Sequence, residues 1–397
     1  MRRRVAIIGG GPTGLYAAEI LSSRGFNTTL FEATRFPGHK FLAAGAGGLN
    51  LTNSEPLESF AARYNSPSLP PGVWRNWLAK HSPDDLRRWA EELGSPTMAK
   101  RNGRVYLRER KSSRLLRAWL ERLASQGVTI KTRHRLTGLC PSRPFRLEFE
   151  TQPVDSADAV LMACGGGSWP QTGSDARWTG LLRPLGIPIR NFEAANCGWE
   201  IDWPDGVRSL AGQPLKNVRV TAGAHSLAGE LMITGYGLEG GALYALGPIL
   251  RAMDQPALTI DLKPAHPVSR LVEKMESARK NWASEAAERW RLGPAARALL
   301  ESRSWQGAMD VARGAKAFHL TLRGPRPLRE AISSAGGVCG TALNDRLMVN
   351  GMPGLFMAGE MIDWEAPTGG YLLQGCFTSA AIAADGVEDW ISTLSGS

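Results

Sequence analysis

Ten residues near the start, Val5-Ala6-Ile7-Ile8-Gly9-Gly10-Gly11-Pro12-Thr13-Gly14, join an apolar run to a glycine turn and the opening of a helix. A strand that stops at G-x-G-x-x-G and continues as a helix is suited to a dinucleotide. Gly9 permits the tight turn, Gly11 lets backbone approach a pyrophosphate, and Gly14 lets the helix pack closely on the strand. The helix N-terminus then offers N–H groups to phosphate. The pattern predicts a helix over 15–24, a turn at Gly25, and a second strand through Thr28-Thr29-Leu30-Phe31 that ends in Glu32. Glu32 lies eighteen residues after Gly14, where a carboxylate accepts hydrogen bonds from a ribose diol. Strand, turn, helix, strand and acid in this order are far more restrictive than glycines alone.

Which dinucleotide is held depends on the rest of the chain. A long one such as FAD needs closing over by a distant segment, and one is present. Gly354-Leu355-Phe356-Met357-Ala358-Gly359-Glu360-Met361-Ile362-Asp363 reads as a short buried strand ending in Gly-Glu and an acid. After it, Thr368-Gly369-Gly370-Tyr371-Leu372-Leu373-Gln374-Gly375 precedes an alanine-rich helical run, Ser379 to Ala384. Glycines there admit a ring system, and N–H groups at a helix start suit negative charge on a reduced flavin. A mid-chain strand, residues 157–164, ends in Gly165-Gly166-Gly167, which lets the C-terminal edge of a parallel sheet receive the cofactor.

Taken together, these segments resemble the BaiN/YhiN-type flavoproteins, FAD-dependent oxidoreductases also called aminoacetone-oxidase-like. Pro37-Gly38-His39-Lys40-Phe41-Leu42 and Gly45-Ala46-Gly47-Gly48-Leu49-Asn50-Leu51-Thr52-Asn53 are similar to the family stretch that ends G-(G/A)-G-R-C-N-L-T-N. Gly165 to Gly173, Ala335-Gly336-Gly337-Val338, Ala358-Gly359-Glu360 and Thr368 to Gln374 extend the likeness along nearly the whole chain. The resemblance implies an α/β fold: a discontinuous, glutathione-reductase-like Rossmann domain for FAD, with an inserted β-barrel-like domain that carries a small helical subdomain and caps the flavin. The cofactor contacts expected from motif and resemblance are Gly9, Gly11, Pro12, Thr13, Gly14, Glu32, Ala33, Lys40, Gly47, Asn50, Thr52, Leu136, Ala163, Gly165, Gly166, Gly359, Glu360, Asp363, Gly369, Gly370, Tyr371 and Leu372. His39 is a weaker expectation beside Lys40, and a self-stabilising loop is the alternative for Asn50, Thr52 and Asn53.

The chain departs from the family pattern twice. Gly48-Leu49 stands where the family commonly has Arg-Cys, so a guanidinium and a thiol are missing, and chemistry that needs the thiol is not expected. Thr234-Gly235-Tyr236-Gly237-Leu238-Glu239-Gly240-Gly241 replaces T-H-F-G-L-S-G-P, losing a histidine proton carrier. Tyr236, Glu239 and Gln374 are candidate substrate contacts. No catalytic residue is assigned, since a flavin carries its own chemistry.

With 397 residues, 43% of them hydrophobic, the chain can bury a large core. Cys140, Cys164, Cys197, Cys339 and Cys376 are widely spaced, lack C-x-x-C, and are expected to be reduced and mostly buried; no metal site is expected. His81, His134, His225, His266 and His319 read as solvent or turn residues. No apolar run spans a bilayer and Met1-Arg2-Arg3-Arg4 leads straight into a strand, so no membrane association is expected and the cytoplasm is the expected location. Net charge is +10, densest from Lys100 through Arg101, Arg104, Arg108, Arg110, Lys111, Arg114, Arg117 and Arg122 to Lys131, Arg133 and Arg135. Trp74, Trp77, Trp89 and Trp119 beside such a groove would make stacking platforms for RNA, but Leu115, Leu116, Trp119, Leu120 and Leu123 at helical spacing favour a solvated charged face over a core face.

The expected domains are 1–190 and 336–397 for FAD, 191–262 and 307–335 for an inserted β-rich part, and 263–306 for a helical subdomain, with a frayed tail from Ser392 to Ser397. Without a second dinucleotide fingerprint, NAD(P)H would visit the flavin only transiently. Three functions follow: an FAD-dependent oxidoreductase on a small molecule, which is favoured; a flavin-dependent reductase of ribosomal RNA; and a non-catalytic flavin protein.

Overall fold

The computed structural model describes residues 3–395. Met1 and Arg2 of the basic opening, and Gly396 and Ser397 of the expected tail, lie outside the described residues. The chain divides into two compact units, Met1–Glu193 with Ser333–Ser397, and Ala194–Ile332.

The first unit is organised by a parallel sheet of β1 (Arg4–Ile8), β2 (Asn27–Glu32), β3 (Thr129–Thr132), β4 (Ala159–Met162) and β5 (Leu355–Met357), in spatial order β5-β4-β1-β2-β3. That order reverses at β1 and β4, where α/β folds place a dinucleotide. β4 is buried along its whole length, as expected of a strand covered on both faces. Helix α1 (Pro12–Ser23) begins at the glycine turn, and Pro12 is well placed there because the first helical N–H has no intrahelical partner. Helix α2 (Ser112–Ser125) buries Leu115, Leu116, Trp119 and Leu123. Helix α3 (Tyr371–Ser395) carries the alanine-rich run and continues through Ser392, so the expected frayed tail is helical as far as it is described.

Aromatic packing overturns the stacking-platform expectation. Trp74, Trp77 and Trp89 are buried and Trp119 fully so. Trp119 stacks on Phe377 at 5.5 Å and meets Trp89 edge-on at 4.7 Å, tying α2 to α3. Trp89 and Arg122 both donate to the buried Glu19 of α1, at 3.0 and 2.9 Å. These indoles belong to the core because their helices present them inward with leucines.

In the second unit an antiparallel sheet runs in the order Phe318–Thr321, Ala257–Asp261, Pro214–Ala222, His225–Ile233, Gly237–Glu239, Trp199–Glu200, Gly324–Pro325. Its two outer strands are joined by Leu322-Arg323, so one stretch of chain supplies both edge strands. Two helical segments differ from the sequence reading. Gly241–Arg251 is a helix inside the stretch expected to be β-rich, with Leu243, Leu246 and Leu250 on its buried face. The helical run after Val268 continues through Ala308–Lys316, where Val311, Ala312 and Ala315 repeat at helical spacing.

The cysteines also correct an expectation. All five are free thiols, but only Cys197 is fully buried, Cys140 is exposed, and the others are half-buried. Among the described residues no helix is long and apolar enough to cross a membrane, and no cluster of ligands is suited to a metal.

Candidate functional site

The glycines of the first turn differ in what surrounds them. A Cβ on Gly9 would lie 2.4 Å from the Ala163 carbonyl oxygen, and one on Gly14 would lie 1.9 Å from the Gly9 carbonyl oxygen. Both positions are closed by the chain's own backbone. Gly11 has nothing within 4 Å of that point, so the space beside the α1 N-terminus is free for a phosphate. The residues therefore fit a pyrophosphate at the place the motif predicts.

Glu32 ends β2 with its carboxylate fixed. Oε2 accepts from the Gly10 N–H at 2.7 Å and Oε1 from the Thr34 N–H at 2.7 Å. Each oxygen retains a lone pair for a ribose hydroxyl. Ala33 lies between these anchors. Leu136 opens the strand Leu136–Cys140, reached from Glu32 through the His134 N–H, which donates to the Glu32 carbonyl at 2.9 Å.

The C-terminal segment closes on the first turn. A Cβ on Gly359 would strike Thr13 Oγ1 at 2.4 Å, and the Gly359 N–H donates to Ser379 Oγ at 3.0 Å. Glu360 forms a salt bridge with Lys40 at 2.9 Å, and Lys40 also donates to Ser168 Oγ at 2.8 Å. The other Glu360 oxygen accepts from the Ser334 N–H at 3.0 Å, while the Gly167 N–H donates to Ser334 Oγ at 3.1 Å. A Cβ on Gly166 would lie 1.9 Å from Ser334 Oγ; Gly165 accepts from the Trp178 indole at 2.9 Å. Segments hundreds of residues apart thus converge on one sheet edge. Ser168, Ser334 and Ser379 carried no sequence signal, because their partners lie so far along the chain.

A second convergence joins Asn50–Asn53 to the start of α3. A Cβ on Gly370 would come within 2.3 Å of the Thr52 carbonyl, and Asn53 donates to the Gly369 carbonyl at 3.2 Å. With its amide oriented to satisfy both ends, Asn50 accepts from the Gly370 N–H at 3.2 Å. Gly47 is open, with nothing within 4 Å of a Cβ. The first N–H groups of α3, at Tyr371 and Leu372, have no intrahelical partners and point their dipole outward from the helix start.

Several expected contacts are committed elsewhere. Gln374 is buried: Thr52 Oγ1 donates to its carbonyl oxygen at 2.7 Å, and its amide donates to the His81 carbonyl and to Thr378 Oγ1, each at 3.1 Å. It locks α3 to the Asn50–Asn53 strand and has no group left for a substrate. The Tyr371 hydroxyl donates to Glu55 at 2.7 Å, and Glu55 is gripped by Arg63 at 2.9 and 3.0 Å. Asp363 is buried, accepting from Ser68 at 3.1 Å and pairing with Arg190 at 3.4 Å. His39 is half-buried against Phe36, ring centroids 3.7 Å apart.

Tyr236 and Glu239 lie in the second unit. The Tyr236 hydroxyl donates to Glu239, and the Arg326 guanidinium sits 4.4 Å from the Tyr236 ring centre. Burial first, then the hydrogen bond to Glu239, raises the Tyr236 hydroxyl well above the usual phenol range. Near the flavin-site segments no thiolate replaces the absent family cysteine. Burial pushes Cys164 up to about 12 and Cys376 up to about 11.

Known proteins resemble this chain in sequence and fold. The HI0933-like protein Rossmann domain family matches residues 3–386. A 3-dehydro-bile acid delta(4,6)-reductase of Clostridium scindens is 25% identical over 409 residues, covering 96% of this chain and 98% of the relative. A ribosomal RNA dihydrouridine synthase of Haemophilus influenzae is 23% identical, covering 95% of this chain and 96% of that protein. Among solved structures, a 3-ketosteroid-delta4-(5alpha)-dehydrogenase of Rhodococcus jostii shares the fold, with TM-score 0.53, 15% identity and 97% of each chain covered. The chain belongs to the HI0933-like family, the BaiN/YhiN-type flavoproteins.

Proposed function

We propose that this enzyme reduces a carbon–carbon double bond in a small molecule, with NAD(P)H as the transient electron donor. The observation that carries the reading is the pairing of an open phosphate position at Gly11 with the helix start at Gly370–Leu372, both set by contacts between opposite ends of the chain. Both named relatives are reductases by name or product, one of a bile acid and one that makes dihydrouridine, which supports reduction over oxidation.

In this reading Gly11, Pro12, Thr13 and Gly14 hold the pyrophosphate, and Glu32 with Ala33 and Leu136 holds the adenosine end. Ala163, Gly165 and Gly166 shape the sheet edge, and Lys40 with Glu360 keeps the two sides of the cleft at fixed spacing. Gly47, Asn50 and Thr52 flank the ring with Gly369 to Leu372. When bound, FAD supplies hydride transfer. The start of α3 favours negative charge on the ring through its unpaired N–H groups.

A second reading, reduction of a base in RNA, is favoured by Arg101, Arg108 and Lys111, which flank the hairpin strand Arg104–Leu107, are exposed and form no ion pair among the described residues. The burial of Trp74, Trp77, Trp89 and Trp119 counts against it, since no stacking face remains there. Anaerobic mixing with NADPH and NADH, followed by a panel of conjugated enones, tests the proposal. Bleaching of the flavin by a nicotinamide donor and recovery with an enone is expected. Bleaching by amines alone, with no response to either nicotinamide, would contradict it.

A further inference from the structure

Four cations of the basic stretch are neutralised locally: Arg114 pairs with Glu109 at 2.6 Å, Arg122 with Glu19 at 2.9 Å, Lys131 with Asp155 at 2.7 Å and Arg135 with Asp175 at 2.9 Å. Among the described residues Arg104 and Arg110 form no ion pair, and neither do Lys100, Arg101, Arg108, Lys111, Arg117 and Arg133; Arg110 is exposed.

Two contacts put Arg104 and Arg110 beside the segments assigned above to the ring end of the flavin, and the inference rests on that reading. Gly48 stands where the family pattern has arginine, and the stem of Arg110 covers it: a Cβ there would lie 3.7 Å from both Cγ and Cδ of Arg110. Arg104 Nε would lie 3.8 Å from a Cβ on Gly369. The backbone of Arg110 is itself unusual. Its φ of 53° is left-handed, a region that side-chain-bearing residues rarely occupy, and its N–H donates to the Leu107 carbonyl at 3.1 Å. Arg133 and Arg291 share that region, so it is the place of Arg110 over Gly48, rather than its φ, that singles it out.

We propose that Arg110 at Gly48 and Arg104 at Gly369 together form a subsite for one anionic group, a carboxylate or a phosphate, on the molecule that meets the flavin. A guanidinium absent from position 48 is thereby supplied from the adjoining hairpin, where its planar fork suits bidentate recognition of either anion. The substrate class narrows to anionic small molecules. Leu49 brings no thiol, so the subsite binds and orients without supplying a proton.

The test uses the FAD-loaded protein at low ionic strength, with inorganic phosphate and succinate as probes. Binding is read by calorimetry and by perturbation of the flavin's visible absorption. Arg110→Gln weakens binding by about ten- to a hundredfold with flavin content unchanged, Arg110→Lys recovers part of it, and Arg114→Gln behaves as wild type. Response to phosphate alone or to succinate alone supports the subsite and assigns its anion. Equal binding in wild type and Arg110→Gln, or no binding of either probe to the yellow wild type, overturns it. So does far tighter binding of a short single-stranded oligoribonucleotide that depends equally on Arg101 and Arg108, since the hairpin is then a polyanion track. A wild-type protein that takes up no flavin overturns the flavin reading instead.

Discussion

The glycine turn at residues 9–14 and the loop at 45–48 are both rich in glycine, yet their surroundings differ. In the first, Gly9 and Gly14 are each closed by backbone, at 2.4 and 1.9 Å from a Cβ, and only Gly11 is open. In the second, Gly45 is crowded by Ser112 at 2.3 Å, while Gly47 is open and Gly48 meets only the flexible stem of Arg110. Backbone cannot yield as a side chain can. Each segment leaves one glycine open, Gly11 and Gly47, and in the proposed reading those are the positions that meet the ligand. Glycine content alone does not single out these positions; what lies nearest each glycine does.

Substitutions at matched positions sharpen that contrast. Gly14→Ala drives a methyl into the Gly9 carbonyl, and chemical denaturation should show a loss of about 3 kcal/mol or no folded protein at all. A variant with wild-type stability would break the comparison.

The framework around the first turn has its own pH signature. Asp385 on α3 pairs with Arg24 just beyond α1 at 2.8 Å and faces His81 at 3.6 Å and Arg346 at 3.7 Å. Burial opposes ionisation, but the hydrogen bonds and charges of His81 and Arg24 prevail and take its carboxyl from 3.8 down to about 2. A depressed folded pKa means the unfolded chain binds the proton first. The contribution, about 2 kcal/mol, is present above pH 4 and is lost as pH falls toward 2. Asp385→Asn should flatten the stability curve in that window, and an unchanged acid limb in thermal melts would disprove the pairing.

At Gly11 the balance reverses. Gly11→Ala should lower stability by no more than about 1 kcal/mol, since the helix start loses only capping freedom. FAD affinity, measured by fluorescence titration of the stripped protein, should fall at least about tenfold because the methyl enters the phosphate space. Smaller still is Gly47→Ala, with a stability change under about 0.5 kcal/mol and a shifted flavin absorption band as its signature. An unshifted band would remove Gly47 from the ring environment.

Local patterns revealed the parallel-sheet turn and the helix that buries Trp119, because each rests on a spacing of a few residues; in the inserted unit they missed the helices Gly241–Arg251 and Ala308–Lys316. The site between segments was less legible. Lys40 and Glu360 were both expected to touch the cofactor, but their salt bridge links positions 320 residues apart, and no local rule signals such a pair. Gln374 was a candidate because its position matches the family pattern; its partners Thr52 and His81 come from a distant strand and helix end. The indoles of Trp74 and Trp77 were similarly ambiguous, since helical spacing shows which residues share a face but not what covers it. Arg110 became distinctive only through its place over Gly48.

The most direct measurement is a titration of the stripped wild-type protein and its Gly11→Ala variant with FAD, read by flavin fluorescence and by analysis of the released cofactor. The account predicts one FAD per wild-type chain and markedly weaker uptake by a variant that remains folded. A wild type that stays colourless, or a variant that binds FAD as tightly as wild type, would contradict the convergence of the two chain ends on a single flavin.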